Sequence, residues 1–425
     1  MREVNRLLND IAIPRMVRVQ QLFDREHIDR EQIGLVVSGI LSEEKFASQI
    51  RPGMRIALPA GSREICNMDE ILASVVRTLK EHGAEPFIVP AMGSHGGATA
   101  EGQTELLKGY SITEERCGCP ILSSMETVLI GQTSDGQDVF LDRYATEADG
   151  ILVLGRIKAH TGFHGRYESG IMKMMAIGLG KQKGADACHK HGFGKMAENL
   201  EQYGNAILKH AKILGAIAIL ENAFDQTYQL VGMSKEEIPE KEPELLKLSK
   251  TLMPQILLPE CDVLIVDEVG KNFSGAGMDP NVTGRAVTPY ASGGLRSQQI
   301  AALGLSEKTH RNGYGIGVAN CTTQRVFREL DLDAMYINGL TCLAMDCCKI
   351  PCVFDNDRLA IQACIKMCEN LGPQGPRVIR IKNSLQIEEI MVSENLLDEV
   401  CKTPGLSVVG EPFVLPFDDA GFLVN

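Results

Sequence analysis

Short runs rich in Val, Ile and Leu recur along the chain, each followed by a Gly-, Ser- or His-bearing turn and then a stretch with helical spacing. MRIALPAGS (54–62) leads into MDEILASVVRTLKEHG, where Ile71, Leu72, Val75, Val76 and Leu79 repeat at the interval of a helix with one buried face. PFIVPAMGSHGG (86–97) precedes a helix candidate around 100–108. ILVLGRIKAH (151–160), GAIAILENAF (215–224), CDVLIVDEVG (261–270), YGIGVANC (314–321), AMYINGL (334–340) and RVIRIKN (377–383) extend the series of strands. Strands alternating with helices in this way build parallel βαβ units with helices on both faces, so the expected fold is α/β with mainly parallel sheets.

A chain of 425 residues exceeds what one hydrophobic core organises, since cores stop growing at roughly 250 to 300 residues. The charged run SKEEIPEKEPELLKLSKTLMPQI (234–256) reads as a solvated excursion and connecting helix. It predicts an N-terminal domain over 1–255 and a C-terminal α/β domain over 256–425. Net charge of −12 argues against partners that need concentrated Lys and Arg, so nucleic acid and anionic membranes are not expected. A small-molecule partner is. The N-terminal MREVNRLLNDIAIPRMVRVQ has no apolar signal-peptide core, and no run is long and apolar enough to span a bilayer, which together predict a cytoplasmic protein.

Thirteen cysteines could announce disulfides or a metal cluster. They include no CxxC pair, and several lie in apolar runs such as INGLTCLAMDCCKIPCVF. Buried free thiols in a reducing compartment are the expectation.

Polar chemistry gathers where the first strands end. In open α/β sheets ligands bind outside the C-terminal ends of the strands. Those ends carry Gly61, Ser62 and Arg63, then Ser94 and His95, then Lys158 and His160. Arg63 is placed to clamp a carboxylate or phosphate with its guanidinium, although a surface arginine is the ordinary alternative. His95, in Ser94–His95–Gly96–Gly97, sits where glycines let backbone approach a ligand, or is a plain turn histidine. Lys173 in GIMKMMAIGLG is a single charge among apolar residues, which fits either a desolvated nucleophile and tether or a snorkelling helix lysine. Met172, Met174 and Met175 read as core filling.

Four of the nine histidines, His160, His164, His189 and His191, lie in one short segment. His189 and His191 are two apart and would point differently on a helix, so at most one of them serves as a ligand. His160 and His164 are interrupted by Gly162 and Gly165 and read as loop residues. The segment lacks an HExxH-type zinc pattern. VGKNFSGAGMDPNVTGR (269–285) is neither GxGxxG nor a P-loop, which speaks against a nicotinamide dehydrogenase.

Taken together, these residues resemble the nickel-pincer nucleotide-dependent lactate racemase family, over about residues 55–285. The family's Ser-His-Gly turn is similar to Ser94–His95–Gly96, its Ile-x-x-His to Ile157–His160, and its early arginine to Arg63. Its cofactor lysine and nickel-binding histidine, sixteen positions apart, match Lys173 and His189, and its LDxN loop resembles Met278–Asp279–Pro280–Asn281. The resemblance implies two α/β domains with the active site in the cleft between them. It also implies a pyridinium-3-thioamide-5-thiocarboxylic acid mononucleotide with Ni, tethered to Lys173, its metal bound by His189. His95 and His160 would handle the hydroxyl proton of opposite enantiomers, and Arg63 would hold the substrate carboxylate.

The pattern also departs from the family. His160 and Lys173 stand three positions further apart, leaving His164 as a second choice for acid/base work. Ala60 replaces an aspartate, and the family's substrate-binding Gln and Lys meet Gly284 and no clear lysine, with Arg285 or Lys271 as candidate substitutes. A racemase or epimerase of a 2-hydroxy acid larger or more polar than lactate, such as a sugar acid, is the reading this favours. A non-catalytic cofactor- or sugar-acid-binding protein and a histidine-metal hydrolase or lyase remain the alternatives.

Overall fold

The computed structural model of the protein describes residues 2–190 and 192–424, and the chain divides into two compact units. One comprises Arg25–His160 and His164–Met253; the other comprises Met1–Asp24, Thr161–Phe163 and Pro254–Asn425.

The first of these is built on a five-stranded sheet. Its strands are β1 (Arg55–Ala60), β2 (Glu85–Pro90), β5 (Gly150–Arg156), β6 (Ile213–Glu221) and β7 (Thr227–Ser234), with a separate hairpin of β3 (Thr127–Gln132) and β4 (Asp138–Asp142). The sheet order is β2-β1-β5-β6-β7, parallel except for β7 against β6. From β1 the chain steps to one side, to β2, and later returns to the other side of β1 at β5. Strand order therefore reverses between β1 and β5, the switch point at whose C-terminal side sheets of this kind bind ligands.

Helices α1 (Ile33–Ser42) and α2 (Met68–Glu81) pack together on one face. All five residues that set the α2 pattern, Ile71, Leu72, Val75, Val76 and Leu79, are buried in one cluster with Ile56 and Leu58 of β1. Each such side chain contributes about 1.5–3 kcal/mol of burial. Further on come α3 (Ala100–Gly109), capped by the Thr99 hydroxyl on the Gly102 amide, α4 (Lys181–His189), α5 (Met196–His210) and α6 (Ile238–Leu252).

The charged run predicted as a solvated excursion is α6, and it is not solvated all round. Ile238, Glu242, Leu246, Ser249 and Leu252 form a buried face packed on β6 and β7. The abundant charges occupy its other faces, which is why the composition read as linker.

The second unit carries an eight-stranded sheet in the order 352–354, 321–323, 296–302, 260–266, 378–381, 389–393, 16–21, 406–413. The first five strands are parallel and the rest antiparallel. Residues up to Asp24, which the sequence reading put with an N-terminal domain, supply the strand Met16–Gln21 to this sheet. AMYINGL is no strand but part of the helix Leu332–Cys342, started by the Asp331 carboxylate on the Ala334 amide. The glycine-interrupted YGIGVANC gives a 3-10 turn, Ile316–Val318, and only Cys321–Thr323 extends. All thirteen cysteines are free thiols. Among the described residues no helix is long and apolar enough to cross a membrane.

Candidate active site

The loops leaving β1, β2 and β5 frame the site. After β1, Gly61 lies directly against Met174, where a Cβ would stand 2.9 Å from the methionine methyl. The turn carrying Ser62 and the exposed Arg63 is thereby brought to the segment that bears Lys173. Tyr110 donates to the Ser62 carbonyl at 3.0 Å, and the Arg63 charge acts on that phenol. After β2, the Gly93 amide donates to the Gly178 carbonyl at 3.3 Å, joining the His95 turn to the same segment.

His95 is exposed, and its Nδ1 pairs with the Ser62 hydroxyl. The pairing orients the ring. From below, Gln103 of α3 donates to the carbonyls of Gly93 at 2.9 Å and His95 at 3.2 Å. Arg63 and His95 thus stand on adjacent turns that share Ser62.

After β5 the chain forms a loop closed at its base, with Lys158 and Ser169 exchanging backbone hydrogen bonds of 2.9 and 3.2 Å. The absence of helix between His160 and His164 agrees with the loop expected from Gly162 and Gly165. Beyond it, Ile171–Lys173 makes a single helical turn that runs into a π-helix, Met174–Leu179. Lys173 stands at this junction, half-buried, while Met172 and Met175 are buried as core. Widened turns of this kind are frequent at functional sites.

His160, Lys173 and His189 are brought together. The rings of His160 and His189 flank Phe193, with centroids 6.3 and 6.4 Å from it. Burial pulls the His160 pKa well below the usual histidine value, and Lys173 and the other basic side chains around it push it the same way. His189 is lowered as well, by burial and by Lys173, against the opposing Ala185 carbonyl. Both shifts favour the neutral imidazole.

His189 ends α4, and its Nδ1 lies 2.7 Å from the Ala185 carbonyl. A carbonyl only accepts, so Nδ1 carries the proton and Nε2 keeps its lone pair, the form that binds a metal. Among the described residues no three His, Cys, Asp or Glu side chains group so as to hold a metal ion. A metal on His189 needs ligands brought by another group. A tethered nucleotide that supplies its own donors fits that requirement, with Lys173 beside the histidine. His191 lies outside the described residues.

Three buried charges that the sequence did not single out support these loops. Glu168 accepts from the His160 amide and from Lys250 of α6, both at 2.7 Å. Glu242 accepts from the Met172 amide at 3.0 Å, at the start of the Lys173 turn. Lys181, fully buried with φ +54°, donates to the Pro90 carbonyl and sits 3.2 Å from both Asp142 and Gln103.

In the other unit, Asp279 of the Met278–Asn281 stretch caps a short helix through the Asn281 amide at 2.9 Å. Arg285 donates to the carbonyls of Ser297 at 3.2 Å and Gln298 at 2.6 Å, while Lys271 pairs with Asn338 and lies over the Tyr314 ring at 5.2 Å. Both candidate substitutes for the missing lysine are thus engaged with their own unit.

Residues 7–201 match the family model of the lactate racemase N-terminal domain. No curated protein matches the chain. Among solved structures, the lactate racemase apoprotein from Thermoanaerobacterium thermosaccharolyticum is similar over 67% of this chain and 74% of its own, at 14% identity and a TM-score of 0.41.

Proposed function

Residues 7–201 make this a lactate racemase-like chain, and from that premise we propose that it is a racemase or epimerase of a 2-hydroxy acid. The observation that carries the reading is the meeting of Lys173 with His160 and His189, whose rings flank Phe193. Lys173 would carry the nickel-pincer nucleotide covalently, and His189 would bind its nickel through Nε2. When bound, that group would supply a reversible acceptor for the hydrogen and electron pair of substrate C2.

The chain's own residues handle the rest. Arg63, exposed on the turn after β1, takes the substrate carboxylate as a bidentate ion pair. His160 is neutral because of its burial and its cationic neighbours, so it is ready to accept the hydroxyl proton of one enantiomer. Its conjugate acid is strong and gives the proton back as the carbonyl is reduced. His95, oriented by Ser62, does the same for the other enantiomer. Two proton handlers are needed because the planar 2-oxo acid has two faces.

The substrate is a 2-hydroxy acid other than lactate, with sugar acids foremost. Ala60 and Gly284 remove two polar contacts that the family pattern provides, and Arg285 and Lys271 are engaged elsewhere. The free thiols support a cytoplasmic setting.

The test is co-expression with the nickel-pincer biosynthetic enzymes, then intact mass, nickel analysis and a screen of 2-hydroxy acids in D2O. A mass increment on Lys173, about one nickel per chain, and stereochemical exchange without deuterium at C2 are expected. No increment beside a loaded lactate racemase control would overturn the cofactor assignment, and deuterium at C2 would replace the mechanism by proton abstraction.

A further inference from the structure

We propose that Glu168 is a positioning residue that fixes where His160 stands, an inference that rests on the racemase reading of the same site. Its carboxylate is fully buried, and each oxygen is used. Oε2 accepts the His160 backbone N–H at 2.7 Å and faces His164 Nδ1 at 3.2 Å. Oε1 accepts from Lys250 Nζ at 2.7 Å and from the Gly165 N–H at 3.4 Å.

A buried carboxylate is costly unless several donors converge on it. Here the donors are the two ends of the 160–165 loop and a lysine of α6. The loop has no regular structure of its own, so its backbone N–H groups need partners from outside the ladder. The Lys158–Ser169 exchange closes the base of the loop, and Glu168, adjacent to Ser169, turns inward and ties it from within. The carboxylate holds His160 by its main chain, and the ring faces Phe193 near Lys173 and His189.

Glu168 touches none of the reacting atoms. Its effect is on geometry: a shift of His160 by about 1 Å suffices to cost on the order of 100-fold in rate. Lys250 supplies the balancing charge from a half-exposed position, where it can rehydrate if the carboxylate is removed. That arrangement makes Glu168 replaceable without leaving an uncompensated buried charge.

The test uses the full-length, cofactor-loaded protein with Glu168→Gln and the shorter Glu168→Asp. Hydrogen exchange of the backbone amides over 160–165 is expected to rise about tenfold or more in both variants, because the tie on the His160 amide is weakened. Turnover is expected to fall by on the order of 10- to 100-fold with KM changed less than about twofold, since substrate binding by Arg63 is left alone. Wild-type exchange rates in a variant with unchanged thermal stability would overturn the clamp. A loss confined to KM would overturn its role in placing His160. If Glu168→Gln does not fold, Glu168→Asp carries both readouts. Should the wild-type chain turn over no 2-hydroxy acid, the functional reading fails by itself, while the exchange rates still decide whether Glu168 holds the loop.

Discussion

Replacing Glu242 by glutamine should stabilise the protein in a pH-dependent way. Glu242 lies on the buried face of α6, where Oε2 accepts the Met172 N–H at 3.0 Å and Oε1 has no hydrogen-bond partner. Burial pushes its pKa from 4.5 up to about 8, against the opposing amides of Met172 and Ile171. The folded state therefore holds a proton that the unfolded chain releases. Its contribution is complete below about pH 4.5 and is lost as pH rises through about 8. At about 1.4 kcal/mol per pH unit, the gap between the two values costs about 5 kcal/mol above pH 8, and about 3 kcal/mol at pH 7. Glutamine keeps the acceptor for Met172 and has no charge to lose. Neighbouring Tyr167 does not titrate in this window, because burial raises its pKa to about 12. Melting temperatures of wild type and Glu242→Gln, measured from pH 5 to 8.5, should coincide at the acid end and separate by roughly 5–10 °C at pH 8. Curves that run parallel across the range would refute the assignment of a buried, protonated carboxyl.

Lys181→Met strands Asp142 without its cation and should cost about 3–5 kcal/mol in urea unfolding, most of it recovered by adding Asp142→Asn. Gly284→Ala should destabilise by about 3 kcal/mol or more, because the residue has φ +74° and a Cβ would stand 1.8 Å from the Leu295 carbonyl oxygen; a melting temperature within a degree of wild type would contradict the geometry. In the co-expressed protein, His189→Ala should keep the mass increment on Lys173 but lose most of the nickel, whereas Lys173→Ala should lose both.

How much was legible depends on which side of an element its neighbours cover. The run Val263–Val266 is buried on both faces and read as a strand from its apolar content alone. Arg296–Ala302 (RSQQIAA) and Leu406–Phe413 are also strands, but their polar or exposed residues left no continuous run to find. At α6 the helix was read correctly but its burial was not, for the same reason: a composition averaged over the segment hides a face on which Glu242 stands between Ile238 and Leu246. That spacing was visible in the sequence, and a carboxylate at an apolar position is the sign that could have marked it.

The site divides along a similar line. Arg63, His95 and His160 stood out as candidates because each follows a strand, and Lys173 because it is a lone charge among apolar residues. Glu168, Glu242, Lys181 and Gln103 did not, because each acts on main-chain groups whose lack of ladder partners shows only in the folded loops. Glu168 takes the amides of His160 and Gly165, and Glu242 that of Met172. Lys181 gives to the carbonyl of Pro90, and Gln103 to those of Gly93 and His95. A site made of loops cannot satisfy its own main chain as a helix or sheet does, so it draws charged and amide side chains inward to do so. The residues proposed to carry the chemistry are then the smaller part of what the sequence must encode. The larger part is a set of buried polar groups whose purpose shows only when the loops they hold are folded beside them.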